Sequence, residues 1–387
     1  MDARSPESND EPSPARAPRR SRRLRTKLGL LLASTVVFLL LSEVAVRLLS
    51  GDKLVLFPRY HTAAQYGEYR LRRLRPSSVF RHTSIDGSWE FVTNSRGFRE
   101  EREYDYKKPA GTTRILCLGD SHTQGFEVRQ DRTYARVVER YLARRSGPVE
   151  VINAGISGFG TAEELAFLEN EGVLYHPDYV VLGFFANDVE DNVKSDLFRL
   201  KDGELVVQKT ENVPGVGIQD FIYRLPATKW LGEHSYFYSL AFNSAWDLAK
   251  RRKLERARSS IGEDAPRGLG DPSMAVAAKD AFSAYEIGLA AKLIERMHAF
   301  CRTNGIRLVI LDVPRVDVST GETRSSIPPE LLPVARASCE QLVLGEDELA
   351  DFEGVTNLHV PHGQRHISEL THCVLGIAVA KRILAEL

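Results

Sequence analysis

The stretch Ile115-Leu-Cys-Leu-Gly-Asp-Ser-His-Thr-Gln-Gly125 decides the fold. An apolar run stops abruptly at Gly119-Asp120-Ser121, and Gly125 follows four residues after the serine. That order predicts a buried strand, a tight turn and a helix start. Ser121 then stands at the carboxyl end of a strand and the amino end of a helix. Unpaired backbone N–H groups there stabilise developing negative charge, which suits a nucleophile.

Downstream of this turn, helix and strand patterns alternate. Arg114–Leu118 reads as a strand and Thr133–Arg144 as a helix. Val149–Asn153 is a strand, Ala162–Glu171 a helix and Tyr179–Phe184 a strand. Later, Ala281–Asn304 reads as a long helix, Arg307–Val313 as a strand, and Ser368–Leu387 as a closing helix. Such alternation predicts a three-layer α/β/α sandwich around a central parallel sheet, flavodoxin-like in class. Ligands in these sheets gather at the carboxyl ends of the strands.

Upstream, residues 1–27 are rich in Pro, Ser and Arg and predict a disordered basic tail. Leu28 to Leu41 carries no charge, and the apolar character continues to Leu49 with Glu43 and Arg47 inside it. Residues 28–50 therefore read as a transmembrane signal anchor, with Glu43 and Arg47 spaced to pair. The basic flank predicts a cytoplasmic N-terminus and an extracytoplasmic body, periplasmic or at the cell surface. No clean Ala-x-Ala follows the apolar run, which argues against cleavage. Residues 51–110 form an irregular, polar-aromatic segment with a strand and turn over Trp89–Phe98. Residues 111–387 form the main domain, interrupted by an insertion at about 193–275. The insertion is aromatic, then basic at Lys250-Arg-Arg-Lys253, then Gly/Pro-rich. We read it as a partly helical cap or a packing extension, and the basic run as a solvated helix face.

The formal net charge is zero, so the composition gives no nucleic-acid signal. The four cysteines, Cys117, Cys301, Cys339 and Cys373, form no Cys-x-x-Cys pair. His359, His362 and His366 could suggest a metal, but no cysteine or carboxylate lies beside them at ligand spacing. No metal or cofactor is expected.

Three strand ends deliver the chemistry-bearing residues. The first delivers Asp120 and Ser121, the second Asn153-Ala154-Gly155, the third Gly183 through Asn187-Asp188. Brought together, they make Ser121 the nucleophile. The Ser121 and Gly155 N–H groups and the Asn187 amide make an oxyanion hole. His366, opening the last helix, is the base. His372 packs or orients, and Asp120 orders the turn.

These residues resemble the SGNH (GDSL) hydrolase superfamily. Its first block, Gly-Asp-Ser-x-Thr-x-Gly, is matched by Gly119, Asp120, Ser121, Thr123 and Gly125. Its later blocks are matched at Gly155, approximately at Gly183 to Asn187-Asp188, and at His366 and His372 with Thr371 in place of a glycine. Asn94-Ser-Arg-Gly-Phe-Arg99 after an N-terminal span resembles the membrane-anchored bacterial members. The resemblance implies a serine esterase acting through an acyl-enzyme, with an ester of a carbohydrate or lipid as substrate. One departure stands out. The family places an aspartate two or three residues before the histidine, and this chain has Gln364 and Gly363 there. Three solutions stay open: a Ser–His dyad, an acid from elsewhere (Asp188, Asp191 or Glu369), or a working Glu369–His372 pair. Three functions follow: an anchored ester hydrolase, an O-acetyltransferase acting on exported polysaccharide, or a catalytically weakened envelope scaffold.

Overall fold

The computed structural model describes residues 19–58, 60–260, 282–317, 322–362 and 366–387. The chain divides into two units, Met1–Leu49 and Ser50–Leu387. In the first, α1 (Arg19–Ser50) is one continuous helix of 32 residues. It starts in the basic flank, not at Leu28, because Arg and Lys are good helix formers. Of the expected tail, residues 1–18 lie outside the described residues. At about 1.5 Å per residue the helix is long enough to cross a bilayer. Its apolar window has a mean hydropathy of 2.2, with none of it buried. Glu43 and Arg47 pair at 2.8 Å.

The second unit opens with an aromatic sub-core. Val55, Phe57 and Tyr60 pack with Leu74, Phe80, Phe91 and Phe126. Two hairpins build it: β1 (His61–Tyr66) with β2 (Tyr69–Leu74), and β3 (Val79–Ser84) with β4 (Gly87–Val92). The segment read as largely irregular is thus mostly strand up to Val92. The turn after β4 is made by Asn94, whose Oδ1 accepts from the N–H groups of Arg96 and Phe98.

The main sheet follows. Strand β5 (Thr113–Gly119) leads into the short helix α2 (Ser121–Gln124) and then α3 (Tyr134–Ala143). Next come β6 (Val149–Asn153), α4 (Thr161–Asn170), β7 (Tyr179–Phe184) and α5 (Asp188–Ser195). The insertion holds a hairpin, β8 (Phe198–Lys201) with β9 (Glu204–Val207). It continues with β10 (Glu211–Asn212), which joins β2 in parallel. Helices α6 (Val216–Arg224), α7 (Thr228–His234) and α8 (Tyr236–Ser260) follow. Its Gly/Pro-rich end lies outside the described residues. The basic run is not simply solvated, since Lys253 Nζ donates to Asn212 Oδ1 at 2.6 Å.

Helix α9 (Ala284–Thr303) starts at a Ser283–Glu286 capping box. After it come β11 (Arg307–Asp312) and the small pair β12 (Arg315–Val316) with β13 (Thr323–Arg324). The chain ends with α10 (Leu332–Ala337), β14 (Gln341–Val343), α11 (Gly345–Leu349) and α12 (Glu369–Leu384).

The five-stranded sheet has the order β14-β11-β7-β5-β6 and is parallel throughout. Numbered along the chain this is the 2-1-3-4-5 winding, whose switch point lies between β5 and β7. Both faces are covered. Leu116 and Leu118 of β5 face the cluster built by α4 and α9, including Leu165, Leu168, Leu293 and Met297. Ile115 and Cys117 face the opposite cluster with Val138, Leu142, Leu375 and Val379 from α3 and α12. Alternate residues on opposite faces, all apolar, mark a strand covered on both sides.

Candidate active site

Gly119 pairs with Gly183 in the sheet, so the ends of β5 and β7 lie side by side at the switch point. Asp120 caps α2, its Oδ1 accepting from the His122 N–H at 2.8 Å. Its Oδ2 accepts from Asn187 Nδ2 at 3.2 Å, which aims that amide at the same end of the sheet. Burial pushes the Asp120 carboxyl up to about 6, opposed by these hydrogen bonds and by the charge of His366. Gly155 is forced by close approach: a Cβ there would lie 2.3 Å from the Gln124 backbone nitrogen. Its N–H donates to Asn153 Oδ1 at 3.1 Å, and Asn153 Nδ2 donates to the Thr123 carbonyl at 2.8 Å. The Gly155 N–H, expected as an oxyanion donor, is thus already engaged.

Ser121 is half-buried, and its Oγ lies 2.8 Å from His366 Nε2. His366 is buried, with its ring against His122 and Phe126. Its loop is held by an isolated bridge between His359 and Ile367 and by Val360 N–H to the His366 carbonyl at 2.8 Å. Helix α12 begins only after Ser368, which accepts the Thr371 N–H. That leaves His366 in the loop and His372 inside the helix.

The acid behind His366 is a residue the sequence reading did not name. Glu127 Oε2 lies 3.2 Å from His366 Nδ1 and 3.5 Å from its backbone nitrogen. The Glu127 side chain is fully buried. Its φ is +62°, a left-handed conformation that costs a side-chain-bearing residue and so marks a constrained position. Buried Arg99 holds the surrounding turn. Its guanidinium donates to the carbonyls of Gln124 at 3.0 Å and Val128 at 2.7 Å, and also to that of Gly125. Burial lowers Arg99 to about 9. The available signal was an acid set between Phe126 and Val128, apolar on both sides, just beyond the nucleophile block.

The acids named from sequence go elsewhere. Asp188 Oδ2 accepts from the Phe185 N–H at 3.0 Å. Asp191 binds Lys194 at 2.8 Å. Glu369 grips Arg129 with contacts of 2.8 and 2.5 Å, so the supposed Glu369–His372 pair does not form. His372 is fully buried and its Nδ1 accepts from the Tyr134 N–H at 3.1 Å. Burial lowers it to about 3, with Arg99 and His366 adding to the effect. His122 is also held well below its ordinary value, first by burial and then by the neighbouring histidines. His359 Nε2 meets the Pro314 carbonyl at 3.1 Å, and His362 Nδ1 meets Asp86 at 2.8 Å. Among the described residues no His, Cys, Asp and Glu group converges as a metal site.

Residues 117–309 match the model of the GDSL-like Lipase/Acylhydrolase family. The match supports the SGNH/GDSL hydrolase superfamily. It runs from the nucleophile block into β11 and stops before His366. No curated protein sequence matches the chain. Among solved structures, TesA matches at 13% identity, covering 70% of this chain and 99% of its own, with a TM-score of 0.37. The lipase/acylhydrolase from Enterococcus faecalis matches at 17%, covering 71% and 96%, with a TM-score of 0.35. The psychrotrophic esterase EstA from Pseudoalteromonas sp. matches at 10%, covering 71% and 100%, with a TM-score of 0.35. The family match supports a GDSL-type hydrolase acting on esters.

Proposed function

We propose that the protein cleaves acyl esters through an acyl-enzyme on Ser121. The observation that carries this reading is the Ser121–His366–Glu127 chain of contacts, 2.8 Å and then 3.2 Å. Ser121 Oγ attacks the ester carbonyl and passes its proton to His366 Nε2. The Nδ1–H of His366 points at the Glu127 carboxylate, which fixes the tautomer and stabilises the imidazolium. The Ser121 N–H and the Asn187 amide hold the tetrahedral oxyanion. The Gly155 N–H joins them only by sharing its bond with Asn153. The alcohol leaves with the proton from His366, and water repeats the sequence to free the acid.

Glu127 supplies the acid whose absence favoured a weakened scaffold, so that reading loses its support. Labelling with a fluorophosphonate probe tests the proposal. Wild type should label, and Ser121→Ala and His366→Ala should not; an unlabelled wild type would return the scaffold reading.

We also propose that α1 anchors the body outside the cytoplasm, supported by the basic residues before the apolar span. A reporter fused after Leu387 should be active only outside the cytoplasm, and a cytoplasmically active fusion would reverse the orientation.

A further inference from the structure

The apolar helix α1 runs to Ser50, and Leu54, Val55 and Leu56 are already buried in the body. Only the short turn Gly51–Lys53 lies between them. Even fully extended, at about 3.5 Å per residue, these residues would reach no more than roughly 10 Å. With α1 in a bilayer, three residues of chain are all that tether Leu54 to the membrane.

Helices α6 and α7 are built onto this part of the body. Gln219 of α6 accepts the His61 N–H at 3.2 Å, and Asp220 binds Arg75 at 2.5 Å. Gly232 of α7 is pressed onto Pro58, where an added Cβ would lie 2.7 Å from its Cα. Glu233 accepts the Arg81 N–H, and Lys229 Nζ reaches the Val79 carbonyl at 2.6 Å. Gly51 itself lies 3.6 Å from the Tyr236 ring, as measured from a built Cβ.

The outer side of α6 is largely apolar, and on α7 Trp230 is exposed between Lys229 and His234. Val216 and Gln219 point inward, whereas Ile218 is 64% exposed, Phe221 63%, Leu225 44% and Trp230 58%. Val79, beside Lys229, is also exposed. The exposed charges between Gly217 and Trp230 are Arg224 and Lys229, both cations. Asp220 is partly covered by its pairing with Arg75. A face of Trp, Phe, Leu and Ile edged by Arg and Lys, with no exposed carboxylate, has the chemistry of an interfacial membrane surface. Large apolar side chains exposed at this density on neighbouring helices call for a partner.

We propose that the α6–α7 face rests on the bilayer in which α1 is anchored. Trp230, Phe221, Ile218 and Leu225 enter the headgroup region, and Arg224 and Lys229 meet anionic lipid. The inference rests on α1 spanning a membrane and is independent of the chemistry at Ser121.

The three tryptophans are Trp89, Trp230 and Trp246, and α1 contains none. The full-length protein is reconstituted into phosphatidylcholine–phosphatidylglycerol nanodiscs whose acyl chains are brominated near the headgroup. Bromine quenches only tryptophan at membrane depth. Wild-type emission should fall by up to about a third, relative to unbrominated discs, and Trp230→Phe should abolish more than half of that fall. No quenching of wild type, or quenching retained in Trp230→Phe, overturns the proposal. Absent quenching with dimers in single-disc mass measurements assigns the face to a second copy instead. Co-purification with the discs reports separately on α1; failure to insert removes the premise and overturns the proposal as well.

Discussion

The loop ending at Ile367 and the first turns of α12 each carry a histidine, His366 and His372, and the two have opposite fates. His366 meets a half-buried hydroxyl through one ring nitrogen and a buried carboxylate through the other. His372 has no exposure, accepts a backbone N–H and stacks on Tyr134. A base needs a proton donor on one nitrogen and an acid on the other; a structural histidine needs one satisfied bond and close packing. The difference lies in the partners that distant elements deliver, and the residue type alone does not reveal it.

The largest effects test the His366 side. Ser121→Ala or His366→Ala should lower ester turnover about 10³-fold or more while the far-UV spectrum stays unchanged. Combining the two should cost little beyond either alone. Additive losses in p-nitrophenyl acetate hydrolysis would show that the pair does not act as a unit. Glu127→Gln comes next, at about 10²–10⁴-fold in kcat. A variant that keeps wild-type kcat would remove Glu127 from the catalytic chain and leave a Ser–His dyad.

Arg99→Ala tests what holds that acid in place. Three carbonyls lose their donor, so stability should fall by about 2–4 kcal/mol and kcat should fall with it. Denaturant titration alongside kinetics checks this. Lost stability with full kcat would mean that Arg99 braces the fold but not the Glu127 turn.

How much of this was legible in the sequence follows from the range of each interaction. The strand from Arg114, the turn at Ser121 and the helix start near Ser368 are local, set by a continuous apolar run and by residues that satisfy nearby N–H groups. They were readable to within a few residues. Glu127 was not, because its partner is 239 positions away and its left-handed backbone has no marker in a Phe-Glu-Val run. The burial of His372 was half legible: packing was one of the two roles read for it, and the choice depends on α3 packing against α12. The hairpins before residue 93 were only half visible, since their core is shared with Phe126 of the nucleophile block.

The His372 side predicts a pH effect on stability with little change in activity. Its folded value is about 3 against an ordinary 6.5. Below 6.5 the unfolded chain binds the proton and the folded one does not, so stability is full above that value and is lost as pH falls towards 3. Between pH 7.5 and pH 5 this amounts to about 2 kcal/mol. His372→Gln, which keeps an acceptor for Tyr134, should flatten that slope in pH-dependent unfolding while kcat stays within about threefold of wild type. An unchanged slope would place the acid sensitivity elsewhere, with His359, lowered to about 4 by burial, as the next group to test.

The smallest effect sharpens the same contrast from outside. Glu369 was a plausible partner for His372 because residues three apart share a helix face. In the fold it turns outward to Arg129, whose side chain is 58% exposed. An exposed pair of this kind gains little over solvation by water. Glu369→Ala should therefore leave kcat, the pH slope and Tm at wild-type values within measurement error. A clear loss of kcat would tie Glu369 to the catalytic histidine after all. A loss confined to Tm would instead show that the Arg129 contact pins the start of α12, and with it the loop that presents His366.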